Sequence, residues 1–176
     1  MGLTSRIVLD ANIYTMNNRA EAFWMKKGIL GDTVPLELNA KELVHRNNKN
    51  SELTVYGYTP MMVSVQCVQK TMDHCNHACV QYVLKDRYQK EFRGVCSCEF
   101  CYNTIYNTLP TSLLKEKEKA EKLGVKAYRL SFTTETQQET EKIVRAFVDV
   151  YLRGQKPDGQ MQTEETTKGH FQRGVE

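Results

Sequence analysis

Val34-Pro35-Leu36-Glu37-Leu38-Asn39-Ala40-Lys41-Glu42-Leu43-Val44 decides the fold class. Its first five residues read as an apolar strand. Asn39 with Glu42 is a capping box, and Leu43 and Val44 then turn one face of a short helix inward. Residues 53–56 follow as the next strand, ended by Gly57 and Pro60.

The same order extends both ways from this stretch. Upstream, residues 6–9 read as a short strand, and Asn18 with Glu21 reads as a capping box opening a helix with Ala20, Phe23 and Trp24 on one face and Gly28 as its stop. Downstream, residues 104–106 read as a strand, and Leu113, Leu114, Ala120 and Leu123 mark a helix closed by Gly124. Residues 128–132 are the next strand, and Thr136 with Glu139 caps a helix carrying Ile143, Val144, Phe147, Val150 and Tyr151. Strands alternating with helices pack as right-handed βαβ units with parallel strands. The expected fold is therefore α/β, and a partial TIM-barrel-like (β/α) repeat, because about five strands are countable where a closed barrel needs eight.

Two segments break the alternation. Residues 81–93, with Tyr82, Leu84, Arg87, Tyr88 and Phe92 spread among charges, read as an inserted β-hairpin. From residue 155 onward the apolar periodicity is gone. The expected organisation is a partial barrel over 1–154 with a Cys-rich insertion at about 64–103, then a tail over 155–176 that stays mobile or docks onto the body.

A length of 176 residues with 40% hydrophobic content suits one globular domain. The formal net charge of +3 permits contact with RNA or another acidic partner without indicating one. No apolar run is long enough to span a bilayer, and none precedes a small-residue cleavage site, so a soluble, cytoplasmic protein without a membrane partner is expected.

All six cysteines, Cys67, Cys75, Cys79, Cys96, Cys98 and Cys101, fall in the insertion. In a reducing compartment clustered thiols are metal ligands or redox centres more often than disulfides. A Cys-x-x-Cys turn at Cys98 and Cys101 lets two thiolates converge, and a second pair brought back by the hairpin would complete four-coordination of Zn²⁺ or of an iron–sulfur cluster. Spacing does not separate the two metals. Some of these thiols could instead be buried and inert. His74 and His77 flank Cys75 and could substitute as ligands, or be ordinary loop residues.

Several strings, in order, resemble the collagenase-like, U-type peptidase family. They are Asp10-Ala11-Asn12-Ile13-Tyr14-Thr15-Met16-Asn17, Pro35-Leu36-Glu37-Leu38-Asn39, Val55-Tyr56-Gly57-Tyr58-x-Pro60-Met61-Met62-Val63-Ser64, Gln66-Cys67, Leu84-Lys85-Asp86-Arg87-Tyr88, Cys98-x-x-Cys101-Tyr102-Asn103-x-Ile105-Tyr106-Asn107 and Gly169-His170-Phe171-x-Arg173-Gly174-Val175-Glu176. The resemblance implies the C-terminal part of a TIM-barrel-like catalytic region, so that a missing N-terminal barrel segment or self-association would cover the interior. Some relatives are described as proteases or collagenases. Others are iron–sulfur proteins assisting hydroxylation of RNA or of a quinone precursor, with four cysteine ligands. By position in the motifs the ligands carried over are Cys67, Cys75, Cys98 and Cys101, with Cys96 an alternative to Cys98 and Cys79 a spare thiol.

The residues themselves favour the metal over proteolysis. There is no His-Glu-x-x-His, no Gly-x-Ser-x-Gly and no recognisable triad, and reading Cys67 beside Gln66 as a nucleophile with an oxyanion donor ignores the other thiols. The candidate catalytic residues are Glu37, near the end of an expected strand, and Tyr56 and Arg129 on similar strands, with Asp86 and Arg87 on the hairpin. Each has a structural alternative: Glu37 and Arg129 as ion-pair partners, Tyr56 as core. Together with these residues, the resemblance implies an iron–sulfur protein assisting hydroxylation of RNA or a small molecule, against a peptidase or a zinc-stapled binding module.

Overall fold

The computed structural model describes residues 7–73, 75–157 and 165–175. Arg6 of the first expected strand, His74, residues 158–164 of the tail and Glu176 lie outside them. The elements in chain order are β1 (Val8–Leu9), α1 (Asn18–Lys26), β2 (Gly31–Thr33), α2 (Ala40–Val44), β3 (Ser51–Gly57), β4 (Pro60–Ser64), α3 (Val68–Thr71), β5 (Gln81–Lys85), β6 (Glu91–Ser97), β7 (Tyr102–Tyr106), β8 (Thr111–Ser112), α4 (Lys117–Lys122), β9 (Ala127–Ser131), α5 (Gln137–Phe147) and α6 (His170–Arg173).

The first sheet sets β1, β2, β3 and β9 side by side, parallel and in chain order. β9 follows one edge of β3 from Glu52 to Gly57, so the antiparallel β8, opposite Tyr56 and Gly57, continues the edge that β2 leaves after Glu52. The fold is α/β. Among the described residues this sheet stays open and does not close into a barrel.

The second sheet is antiparallel, in the order β4-β7-β6-β5, and is inserted between β3 and β8. The hairpin expected over 81–93 is β5–β6. It turns at Asp86, whose Oδ1 accepts the N–H groups of Tyr88 (2.8 Å) and Lys90 (2.9 Å). Residues 104–106, read above as a member of the alternating series, belong instead to β7, paired antiparallel with β4 and β6. Among the described residues the parallel series therefore has four strands.

β2 precedes the strand expected at 34–38. Pro35 has no N–H to offer the ladder, so the last bond is that of the Val34 N–H to Glu52 O at 2.8 Å, and residues 36–37 turn. The boxes Asn39–Glu42 and Thr136–Glu139 cap α2 and α5 reciprocally. On α1 the cap is Asn17, one residue before the expected Asn18, and Asn18 Oδ1 accepts the Asn47 N–H at 2.6 Å instead.

The apolar core joins Val34, Leu43, Leu53, Val55, Tyr56, Leu113, Leu114, Phe147, Val150 and Phe171. Leu43 faces inward as expected, but Val44 is 61% exposed. Beside this core lies a buried ion pair, Asp32–Arg46. Ser51 Oγ donates to Asp32 Oδ1 at 2.6 Å, Arg46 Nε to Thr15 O at 2.9 Å and Arg46 Nη1 to Asn48 Oδ1 at 2.9 Å, so both charges are satisfied without water. The described end of the chain is docked. Thr167 N–H donates to Pro110 O (2.9 Å), Ser112 N–H donates to Thr167 O (2.8 Å), Lys168 pairs with Glu116, and Phe171 enters the core. No helix among the described residues is long and apolar enough to cross a membrane.

Candidate metal centre in the cysteine-rich sheet

Side chains alternate across a sheet, and residues opposite one another share a face. The pairings Tyr82–Gly94, Cys96–Asn103 and Ser64–Asn103 therefore put Ser64, Tyr82, Gly94, Cys96 and Asn103 on one face of the second sheet. β4 leads into Cys67, which caps the start of α3. Cys67 and Cys96 are 7% and 0% exposed, with their Sγ atoms 3.5 Å apart, and Cys96 Sγ is also 3.6 Å from Cys98 Sγ.

The two buried sulfurs differ in acidity. The Lys70 N–H and then the Cys96 thiol favour a thiolate at Cys67 and hold its pKa below the ordinary value, outweighing burial. Burial, with contacts to Cys67 and Cys98 added, pushes Cys96 up to about 12. The contact thus joins two sulfurs whose acidities are shifted in opposite directions. The Cys-x-x-Cys turn follows directly: Cys101 N–H donates to Cys98 O at 3.4 Å, and Cys101 adopts a left-handed backbone with φ of 51°. Asp73 and His77 in the facing loop are left-handed too, at 54° and 55°. Such strain on residues other than glycine collects at functional sites.

Of the four expected ligands, Cys67 and Cys98 meet through Cys96, whereas Cys75 and Cys101 are exposed, as is Cys79. Cys96 is the shared neighbour. Only the β6 register reveals this, because its alternation turns Cys96 inward while Cys98 lies beyond the strand end. All six cysteines are free thiols. Among the described residues no group of three or more His, Cys, Asp or Glu side chains is arranged to hold a metal ion.

The expected catalytic residues lie elsewhere. A cleft of about 200 Å³ opens at the carboxyl ends of the parallel strands, where Asp10, Thr33, Gly57 and Ser131 meet Pro60 and Tyr106 of the second sheet. Ligands of open α/β sheets bind in this position. Arg129 reaches it, with its guanidinium on Glu52 Oε2 at 2.7 Å and on Asp10 Oδ1 at 3.3 Å. Tyr56 does not line it: the residue is 4% exposed, with its ring 5.5 Å from Phe132 and 6.1 Å from Phe147. Glu37 sits in the turn after β2 and also lies outside the cleft lining. Thr33 was not singled out by sequence, yet its Oγ1 is buried here with no partner among the described residues. β4, four residue steps or about 13 Å long, separates this cleft from the thiols.

No protein-family model, curated protein or solved structure matches the chain, so the likeness to the collagenase-like peptidases rests on the quoted strings alone.

Proposed function

We propose that the antiparallel sheet carries a thiolate-ligated metal centre, first of all a [4Fe–4S] cluster, within a partial (β/α) barrel that assists hydroxylation of RNA or a small molecule. The observation that carries this reading is the sulfur chain Cys67–Cys96–Cys98, with Cys67 and Cys96 buried and Cys98 half-buried, beside a sheet that contributes nothing to the apolar core. The donor chemistry fits a soft metal: sulfur atoms only, none in a disulfide, with the Cys67 pKa lowered by the Lys70 N–H and the Cys96 thiol. Cys67 and Cys98 would hold the group from the buried side, and Cys75 and Cys101 would close it from the exposed loops. Cys96 is the alternative to Cys98. Such a cluster supplies one-electron chemistry when bound. The chain's own part is to shield one side of it with α3 and to hold Cys67 and Cys96 out of solvent.

Zinc is the second reading, and the sulfur spacing favours it. Zn–S bonds of about 2.3 Å in a tetrahedron place sulfurs about 3.8 Å apart, close to the observed 3.5 and 3.6 Å. The partial-barrel reading draws on the parallel strands running in chain order and on the outer edges of β1 and β9, unpaired among the described residues. Val8, Phe23 and Leu30 beside β1 are 42%, 53% and 48% exposed, which suits cover by a further barrel segment or by a second copy.

Iron, sulfide and zinc analysis with visible absorbance of anaerobically purified protein tests the reading. Iron and sulfide with broad visible absorption, lost in Cys67→Ala and kept in Cys79→Ala, are expected. Stoichiometric zinc would move the reading to the structural module, and equal metal retention in every variant would remove it.

A further inference from the structure

The face of the antiparallel sheet that bears Cys96 also lines a cavity of about 280 Å³. Met62, Leu84 and Ile105 form its sheet side, and Val68 and Met72, within and just after α3, lie on the other. None of the lining residues is charged at neutral pH. Two polar atoms are nevertheless buried there without a partner among the described residues, Asn103 Oδ1 and the Tyr82 hydroxyl.

Asn103 is 1% exposed and its amide orientation is fixed. Its Nδ2 donates to Gln66 O at 2.8 Å and lies 3.5 Å from Ser64 O, which leaves Oδ1 as the spare acceptor. The Tyr82 ring lies across Gly94, where an added Cβ would fall 2.4 Å from the ring and 2.8 Å from the hydroxyl oxygen. Gly94 faces Ile105 of β7. The hydroxyl is thereby carried over β6 to within about one strand spacing, 4.8 Å, of the strand that holds Asn103. Only glycine allows that reach. Native structures rarely leave buried polar atoms unserved, and a pocket with apolar walls and a few convergent polar atoms is the usual form of a small-molecule site.

We propose that this cavity binds a neutral, largely apolar small molecule through one hydroxyl, which donates to Asn103 Oδ1 and accepts from the Tyr82 hydroxyl. The site goes beyond the metal reading and uses none of the cysteines. A charged ligand does not suit it, because no lining group could compensate the lost hydration. Its volume lies just below the roughly 300–1,000 Å³ of common organic-ligand pockets, which suits a single-ring compound.

The test is a pair of probes that differ by the hydroxyl, p-cresol and toluene, titrated into the ¹⁵N-labelled full chain. The Asn103 side-chain amide and the α3 backbone amides are followed by NMR. Saturable shifts at both places are expected, with p-cresol bound tighter than toluene by about fivefold per hydrogen bond. Asn103→Leu should erase that preference while toluene still binds, and Tyr82→Phe should reduce it. Equal affinities, no shifts up to the solubility limit of p-cresol, or a preference that survives in Asn103→Leu would overturn the proposal, leaving the two polar atoms to ordered water only. If circular dichroism shows Asn103→Leu unfolded, Tyr82→Phe decides, and an undiminished preference there overturns it.

Discussion

On the parallel sheet, Leu53 and Val55 of β3 are buried to 4% and 1% exposure among Leu113, Leu114 and Phe147. On the antiparallel sheet the most enclosed side chains are Cys96 and Asn103, while Met61, Met62 and Val63 of β4 are 60%, 52% and 64% exposed. The first sheet thus has the apolar burial that ordinarily offsets the entropy of folding, and the second does not. Small domains short of core commonly rely on disulfides or a metal, and here the thiols stand where the core would be. The difference teaches that aliphatic side chains hold the parallel sheet, whereas thiols and an amide occupy the enclosed positions of the antiparallel one.

The largest expected effect lies in the parallel body. Arg46→Met leaves the Asp32 carboxylate buried beside Thr15 and Ser51 without its cation, and should cost about 3–5 kcal/mol in urea unfolding of the whole chain. Leu43→Ala, at a residue 1% exposed, should cost about 2–5 kcal/mol. Met62→Ala, on the other sheet, should stay within about 0.5 kcal/mol. A Met62 effect as large as that of Leu43 would erase the contrast between the sheets. Gly94→Ala is intermediate: its Cβ would meet the Tyr82 ring at 2.4 Å, and the overpacking should cost about 1–3 kcal/mol. That loss should show as faster amide exchange in β5 and β6, with β1–β3 unchanged.

A smaller effect than the core losses concerns the docked end of the chain. Lys119 and Lys168 hydrogen-bond the Glu116 carboxylate and hold its pKa below the ordinary 4.5. A lowered native pKa stabilises above the unfolded value and loses that contribution as pH falls through the native one. Docking of residues 165–175 should therefore weaken below about pH 4.5, and Glu116→Gln should flatten that dependence. Lys168→Met should cost about 1 kcal/mol at neutral pH, since Lys168 is partly solvated. Fluorescence of a label at Val175 reports both.

What could be read from sequence was local. Asn39 with Glu42 and Thr136 with Glu139 named two helix starts because a capping box lies within four residues. The β5–β6 hairpin was legible in Tyr82, Leu84, Arg87, Tyr88 and Phe92 spread among charges, while its turn at Asp86 came only from the structure. Residues 104–106 misled because an apolar triplet looks alike in a parallel or an antiparallel strand, and Pro35 moved β2 upstream of its most apolar residues. The Asp32–Arg46 pair was illegible, since Thr15, Asp32, Arg46 and Ser51 come from separate elements. At the sulfurs, spacing named the cysteine cluster, but Cys96 as the shared neighbour emerged only from the β6–β7 register.

The claim that sulfur chemistry stands in for a core in the second sheet is tested most directly by hydrogen exchange on metal-loaded and chelator-treated protein, compared amide by amide. The account predicts that metal removal strips protection from β5, β6, β7 and α3 while β1, β2, β3 and β9 keep theirs. Unchanged protection in the antiparallel sheet after complete metal removal, or protection lost equally from both sheets, would contradict it.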